Sequence, residues 1–157
     1  MNYDKEIPMT DTEYMKLAIE EAKKAEAEGE IPIGALVVYK DLIIATAHNE
    51  KEHTNDPTAH AEITALRKAA RFLGTWRLTG ASLYVTIEPC PMCAGALLNA
   101  RVSRLVYGSP NPPYGAVDSH FHLTSSNALS HTVEVTSGIL EKECQALVDT
   151  FFRNRRS

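Results

Sequence analysis

Residues 82–107 read SLYVTIEPCPMCAGALLNARVSRLVY. The run from Ser82 to Ile87 is apolar and rich in β-formers, and it stops at Glu88-Pro89, so it predicts a short buried strand. Pro91 to Ala100 predicts a helix, with Pro91 in the first turn, where its missing N–H is no loss. Arg104 to Tyr107 returns to a strand pattern. Upstream, Thr10 and Glu13 have the spacing of a capping box. Tyr14, Leu17, Ala18, Glu21, Ala22 and Ala25 then recur at helical spacing until Gly29. Ile33 to Tyr39 and Leu42 to Ala47 flank Lys40-Asp41 as a strand hairpin. His48 to Asp56 reads as a polar loop. Pro57 and Thr58 precede a helix carrying Ile63, Leu66, Ala70 and Leu73 on one face and ending at Gly74. Downstream, the Pro- and Gly-rich residues 108–118 form a loop. A short helix and a strand around Thr132 to Thr136 follow. Gly138 to Arg155 closes the chain as a helix, with Leu140, Cys144, Leu147, Val148 and Phe151 at helical spacing. A hairpin followed by alternating helices and strands predicts an α/β fold: a three-layer α/β/α sandwich around a mixed, mostly parallel sheet of about five strands. One domain is expected over residues 1–157, since domains run about 100–200 residues.

The 157 residues are 44% apolar and 23% charged, which excludes a disordered chain. No apolar run approaches the roughly 18 residues of a membrane span. The first thirty residues, with Asp4, Glu6, Asp11 and Glu13, do not resemble a signal peptide. Three cysteines do not make a disulfide framework, and a reducing cytoplasm is the expected location. The net charge of −4 is unevenly placed: nine of the acidic side chains lie in residues 1–30. The chain ends on a local basic cluster, Arg153, Arg155 and Arg156. Such a tail is either a solvated terminus or a nucleic-acid contact.

Two motifs carry chemistry, His60-Ala61-Glu62 and Pro89-Cys90-Pro91-Met92-Cys93, each at the start of a predicted helix. Cys90 and Cys93 are three apart, so on a helix they share a face and can hold one ion. Free cysteines are otherwise most often small buried hydrophobes, and Cys-x-x-Cys also serves redox chemistry. A redox pair has no use for a distant His-x-Glu. His60 is the natural third ligand. From the first turn of a helix, His60 and Glu62 can both reach a point beyond the helix end. Cys144 sits at core spacing with Leu140, Leu147 and Val148, so three protein ligands remain. Three ligands leave a position for water, as catalytic zinc sites do. Glu62 beside that water is placed to move its proton.

This pair of motifs resembles the H-x-E…P-C-x-x-C signature of the zinc nucleobase deaminases. The resemblance covers nearly the whole chain. It includes residues 31–35 and 56–63, Asn49, residues 84–96, Tyr107-Gly108 and the closing Phe151-Phe152-Arg153-Asn154-Arg155-Arg156. Length and ending are similar to the tRNA-specific adenosine deaminase family, which forms inosine at the wobble position. The resemblance implies a cytidine deaminase-like fold and one Zn²⁺ per subunit on His60, Cys90 and Cys93. It also implies water attack on adenine C6, with Glu62 protonating N1 and then the leaving amine. Asn49 and the backbone N–H of Ala61 would meet the purine. Phe152, Arg153 and Arg156 would meet the anticodon stem-loop of a tRNA, an arginine tRNA in the bacterial family. A homodimer is implied as well.

The resemblance lapses between Ser109 and His131. Asn111, expected to touch substrate near the ribose, stands where the family has an acid, and Pro113 stands for a lysine. Two other functions stay open: deamination of a free base or nucleoside such as guanine or cytosine, and a catalytically silent RNA- or partner-binding subunit. Glu62 argues against the second.

Overall fold

The computed structural model describes residues 8–126, 129 and 131–155. In chain order the elements are α1 (Asp11–Ala27), β1 (Gly34–Tyr39), β2 (Leu42–His48), α2 (Lys51–Thr54), α3 (Ala61–Leu73) and β3 (Ser82–Ile87). Then come α4 (Pro91–Ala100), β4 (Arg104–Ser109), a 3-10 turn (Leu123–Ser125), β5 (Glu134–Ser137) and α5 (Glu141–Arg155). The strands form one sheet in the order β2-β1-β3-β4-β5.

The sheet is mixed, but not mostly parallel. β1 is antiparallel to β2 and to β3, whereas β3–β4 and β4–β5 are parallel. The crossover through α3 makes β2 and β3 run the same way, and β1, inserted between them, must oppose both. Strand residues alternate between two cores. Ala35, Val37, Leu83, Val85, Leu105 and Tyr107 pack under α3 and α4, while Leu36, Val38, Tyr84 and Val106 pack under α1 and α5. Cover on both faces explains why β1 and β3 read as continuous apolar runs.

Local signals account for most boundaries. Thr10 Oγ1 accepts the Glu13 N–H at 3.2 Å and Glu13 Oε1 accepts the Thr10 N–H at 2.8 Å, the capping box expected of α1. The buried face of α1 is Tyr14, Met15, Ala18, Ile19, Ala22 and Ala25, while Leu17 is turned outward. α1 lies so close to β1 that a Cβ on Gly34 would collide with the Ala18 carbonyl. Gly74, at φ 73°, closes α3. Two element boundaries also depart from the sequence reading. The polar loop after β2 contains α2, whose first turn is capped from a distance: the Glu30 carboxylate accepts the N–H groups of Glu52 (3.1 Å) and His53 (2.6 Å). The last helix starts at Glu141, three residues late, because Gly138 (φ 83°) and Leu140 (φ 55°) turn the chain left-handed before it. Among the described residues no helix is long and apolar enough to cross a membrane.

Candidate functional site

α3 and α4 lie on the same face of the sheet and present their N-termini at one edge. His60 is the N-cap of α3 and Cys90 the N-cap of α4. Both have extended backbones (φ −75°, ψ 152° and 174°) and neither side chain caps its own helix, so both are free to face each other. Cys93 follows in the first turn of α4 and is fully buried. Cys90 sits at the cap of α4 and Cys93 three residues on in its first turn, and the two sulfurs lie together, as their spacing predicts. His60 Nδ1 lies 3.6 Å from Cys90 Sγ and 3.5 Å from Cys93 Sγ. All three donor atoms fall within 4.8 Å of one another.

That spacing fits a single tetrahedral ion. Bonds of about 2.3 Å to sulfur and about 2.0–2.1 Å to nitrogen separate the two donors by about 3.6 Å. Two thiols and an imidazole are also the donors that zinc takes. The group can hold a metal ion. Cys144 is not part of it: it is buried on the opposite face of the sheet, where a Cβ on Gly108 would strike its sulfur.

The electrostatics of the cluster are set by burial and by one another. A hydrogen bond from the Cys93 thiol holds Cys90 down at about 4, against its own burial and with help from His60. The same hydrogen bond, then burial and the Glu62 carboxyl, push Cys93 up. His60 is raised, chiefly by its bond to Cys90. Glu62 lies in the first turn of α3, is 4% exposed, and its carboxyl reaches the Cys93 sulfur. Burial pushes that carboxyl up to about 7.

Asn49 follows β2 at the same edge and is 7% exposed. Its Oδ1 accepts the Ala61 N–H at 2.8 Å. The two groups expected at the purine are thus brought together and bound to each other. Asn111 sits half-buried in the 110–119 loop beside the Cys90 turn. Phe152 is 43% exposed and Arg153 is exposed, near the end of α5. Phe151 packs inward, as its spacing predicts. α5 passes beneath Gly108 and Ser109, and Arg155 Nη2 donates to the Gly29 carbonyl at 2.6 Å, just ahead of β1. This path carries the basic end toward the edge that holds the cluster. Arg156 lies outside the described residues. Of the other histidines, His48 ties β2 to α1 through Glu21 (3.1 Å) and Glu28 (3.2 Å), and His122 and His131 bond backbone carbonyls.

One residue escaped the sequence reading. Glu88 directly follows β3, two positions before Cys90, and is 1% exposed. Burial alone would raise its carboxyl, but the Ser119 hydroxyl and the N–H groups of Asn111, Asp118 and Ser119 more than offset this and hold it low. A Glu closing an otherwise apolar strand was the available signal.

Comparison with known proteins follows the same lines. Residues 9–156 match the family described as MafB19-like deaminase. The chain is 50% identical to a tRNA-specific adenosine deaminase of Bacillus subtilis, covering 91% of this chain and 89% of that one. It superposes at a TM-score of 0.84, with 45% identity over 87% of its length and 99% of the other's, on a structure from work on A-to-I editing by tRNA:A34 deaminases at the wobble position. A guanine deaminase structure from Bacillus subtilis matches at 41% identity and a TM-score of 0.62, over 65% of this chain and 66% of that one.

Proposed function

Because the chain belongs to the MafB19-like deaminase family, we propose that it hydrolyses adenosine to inosine and ammonia at the wobble position of a tRNA anticodon loop. The observation that carries the chemistry is the convergence of His60, Cys90 and Cys93 beside the buried Glu62. The identity to tRNA-specific adenosine deaminases supports the substrate. His60, Cys90 and Cys93 hold one Zn²⁺ per subunit. The ion supplies the positive charge that makes water a competent nucleophile near neutral pH. Glu62 takes a proton from the attacking water and passes it to adenine N1, then takes the second proton from the hydroxyl formed at C6 and passes it to the departing amine. Asn49, its oxygen fixed by Ala61, turns its amide N–H toward the purine edge. Asn111 borders the ribose. Phe152 stacks on a loop base, while Arg153 and Arg156 meet phosphates. The chain acts as a single deaminase domain, as a homodimer in the cytoplasm, on an arginine tRNA.

The test is incubation of the zinc-loaded protein with an anticodon stem-loop carrying adenosine at the wobble position, with free adenosine, guanine and cytosine in parallel. Inosine in the stem-loop alone is expected. Turnover of guanine instead would favour the reading suggested by the guanine deaminase match and overturn the RNA substrate. Absence of any turnover would leave a silent binding module.

A further inference from the structure

The Glu88 carboxylate is a hub that the deamination chemistry does not use. It accepts the N–H of Asn111 at 3.0 Å through Oε1. Through Oε2 it accepts the N–H groups of Val117 (3.1 Å), Asp118 (2.7 Å) and Ser119 (2.9 Å). The Ser119 hydroxyl also donates to it. The loop is wrapped so closely around the carboxylate that a Cβ on Gly115 would run into it. Glu88 itself is joined through Pro89 to Cys90, and the Ala116 N–H donates to the Pro89 carbonyl at 2.8 Å. One buried side chain thus ties the 111–119 loop to the turn that carries the Cys90 donor. That loop exposes Tyr114, 67% accessible, and half-buries Asn111.

We propose that Glu88 is a positioning residue for substrate binding: by gathering these N–H groups it holds the 111–119 loop as a fixed wall of the site, where the RNA strand passes over Asn111 and Tyr114. The proposal rests on the RNA reading above. A carboxylate is the side chain suited to this place, because an ionised carboxylate only accepts, with about four lone-pair positions. The isosteric amide puts an NH₂ against N–H groups and leaves some of them unpaired in a buried place. The loop is then free to move while Cys90, Cys93, His60 and Glu62 stay where they are.

The experiment compares wild type, Glu88→Gln, Ser119→Ala and Gly115→Ala. It measures kcat and KM separately on the wobble-adenosine stem-loop, zinc content, and amide hydrogen exchange. In Glu88→Gln, KM should rise about tenfold or more with kcat nearly unchanged, the pattern of lost binding rather than lost chemistry. Zinc content should stay equal to wild type. Exchange should quicken at residues 111–119 and not along α4. Ser119→Ala, which removes one donor, should give a smaller rise of about threefold. Gly115→Ala should raise KM by pushing the loop off an intact Glu88, which keeps the test alive if Glu88→Gln fails to fold. A wild type active on the stem-loop, with variants of unchanged KM, overturns this proposal alone. Loss of zinc or of kcat in Glu88→Gln also overturns it, since the carboxylate would then serve the metal turn. A wild type inactive on the stem-loop overturns the RNA reading and this proposal with it.

Discussion

Two buried carboxyls stand close to the candidate metal group, and their surroundings push them in opposite directions. Glu62 is raised to about 7 because burial outweighs its few partners, whereas Glu88 is held low by a full set of donors. The first arrangement suits a group that must carry a proton, the second a group that must never take one. Glu62→Gln should therefore cut inosine formation by about 10²–10⁴-fold while leaving zinc per chain and Tm at wild-type levels. Single-turnover kinetics together with metal analysis checks this, and turnover within a few-fold of wild type would remove Glu62 from proton transfer. The difference in legibility between the two residues has a physical reason. His60, Glu62, Cys90 and Cys93 lie in two short motifs whose local helix starts dictate where the side chains go. Glu88 finds its partners 23 to 31 residues later, and they are mostly backbone groups of a loop, which leave no mark on residue type.

Elements whose ends are set by their own residues read directly from the sequence. β3 and α4 span the residues expected of them, because Pro89 ends one and Pro91 starts the other. α2 was hidden, since its cap is Glu30, remote in sequence. Strand direction was equally hidden, since periodicity carries no sign of which neighbour a strand selects. The N-terminus of α1 gives a prediction on pH. Asp11 accepts hydrogen bonds from Nη1 and Nη2 of the Arg104 guanidinium (2.9 and 2.7 Å) and from the Tyr84 hydroxyl (2.6 Å), tying α1 to β3 and β4. The bond from Arg104 holds its carboxyl below the ordinary value. A depressed folded pKa stabilises above the unfolded value of about 3.9, and the gain is lost as pH falls through the folded pKa. Asp11→Asn should thus lower Tm at pH 7, with a deficit that closes below about pH 4. A deficit independent of pH in thermal melts would assign the effect to packing instead. The β1–β2 turn offers a gain. Lys40 (φ 50°) and Asp41 (φ 64°) are both left-handed, the conformation of a type I′ turn. Replacing the pair with Asn-Gly should stabilise the fold by about 0.5–1 kcal/mol, read from urea midpoints at unchanged m-value.

At the scale of the whole molecule, an acidic protein of net charge −4 is asked to bind a polyanion. Charge distribution resolves the conflict. Nine acidic residues belong to the first thirty positions; Glu20 pairs with Lys23 on the α1 surface, and the buried Glu21 pairs with Lys24. Arg153 and Arg155 sit instead at the far end of α5, where Arg155 bonds the Gly29 carbonyl and lies over the Phe151 ring at 4.6 Å. Truncation would therefore remove a docking residue along with any RNA contact, and point variants separate the two. Arg153 is exposed and makes no such bond among the described residues, so Arg153→Ala should leave Tm unchanged. For single-stranded nucleic acid each neutralised phosphate adds about 0.7 to the slope of log affinity against log salt. KM for the stem-loop should rise with salt, and Arg153→Ala should reduce that slope by about 0.7 while raising KM at low salt. Phe152→Ala should raise KM with the slope intact, since stacking releases no counterions. An Arg153→Ala variant with the wild-type slope would mean that this arginine meets no phosphate.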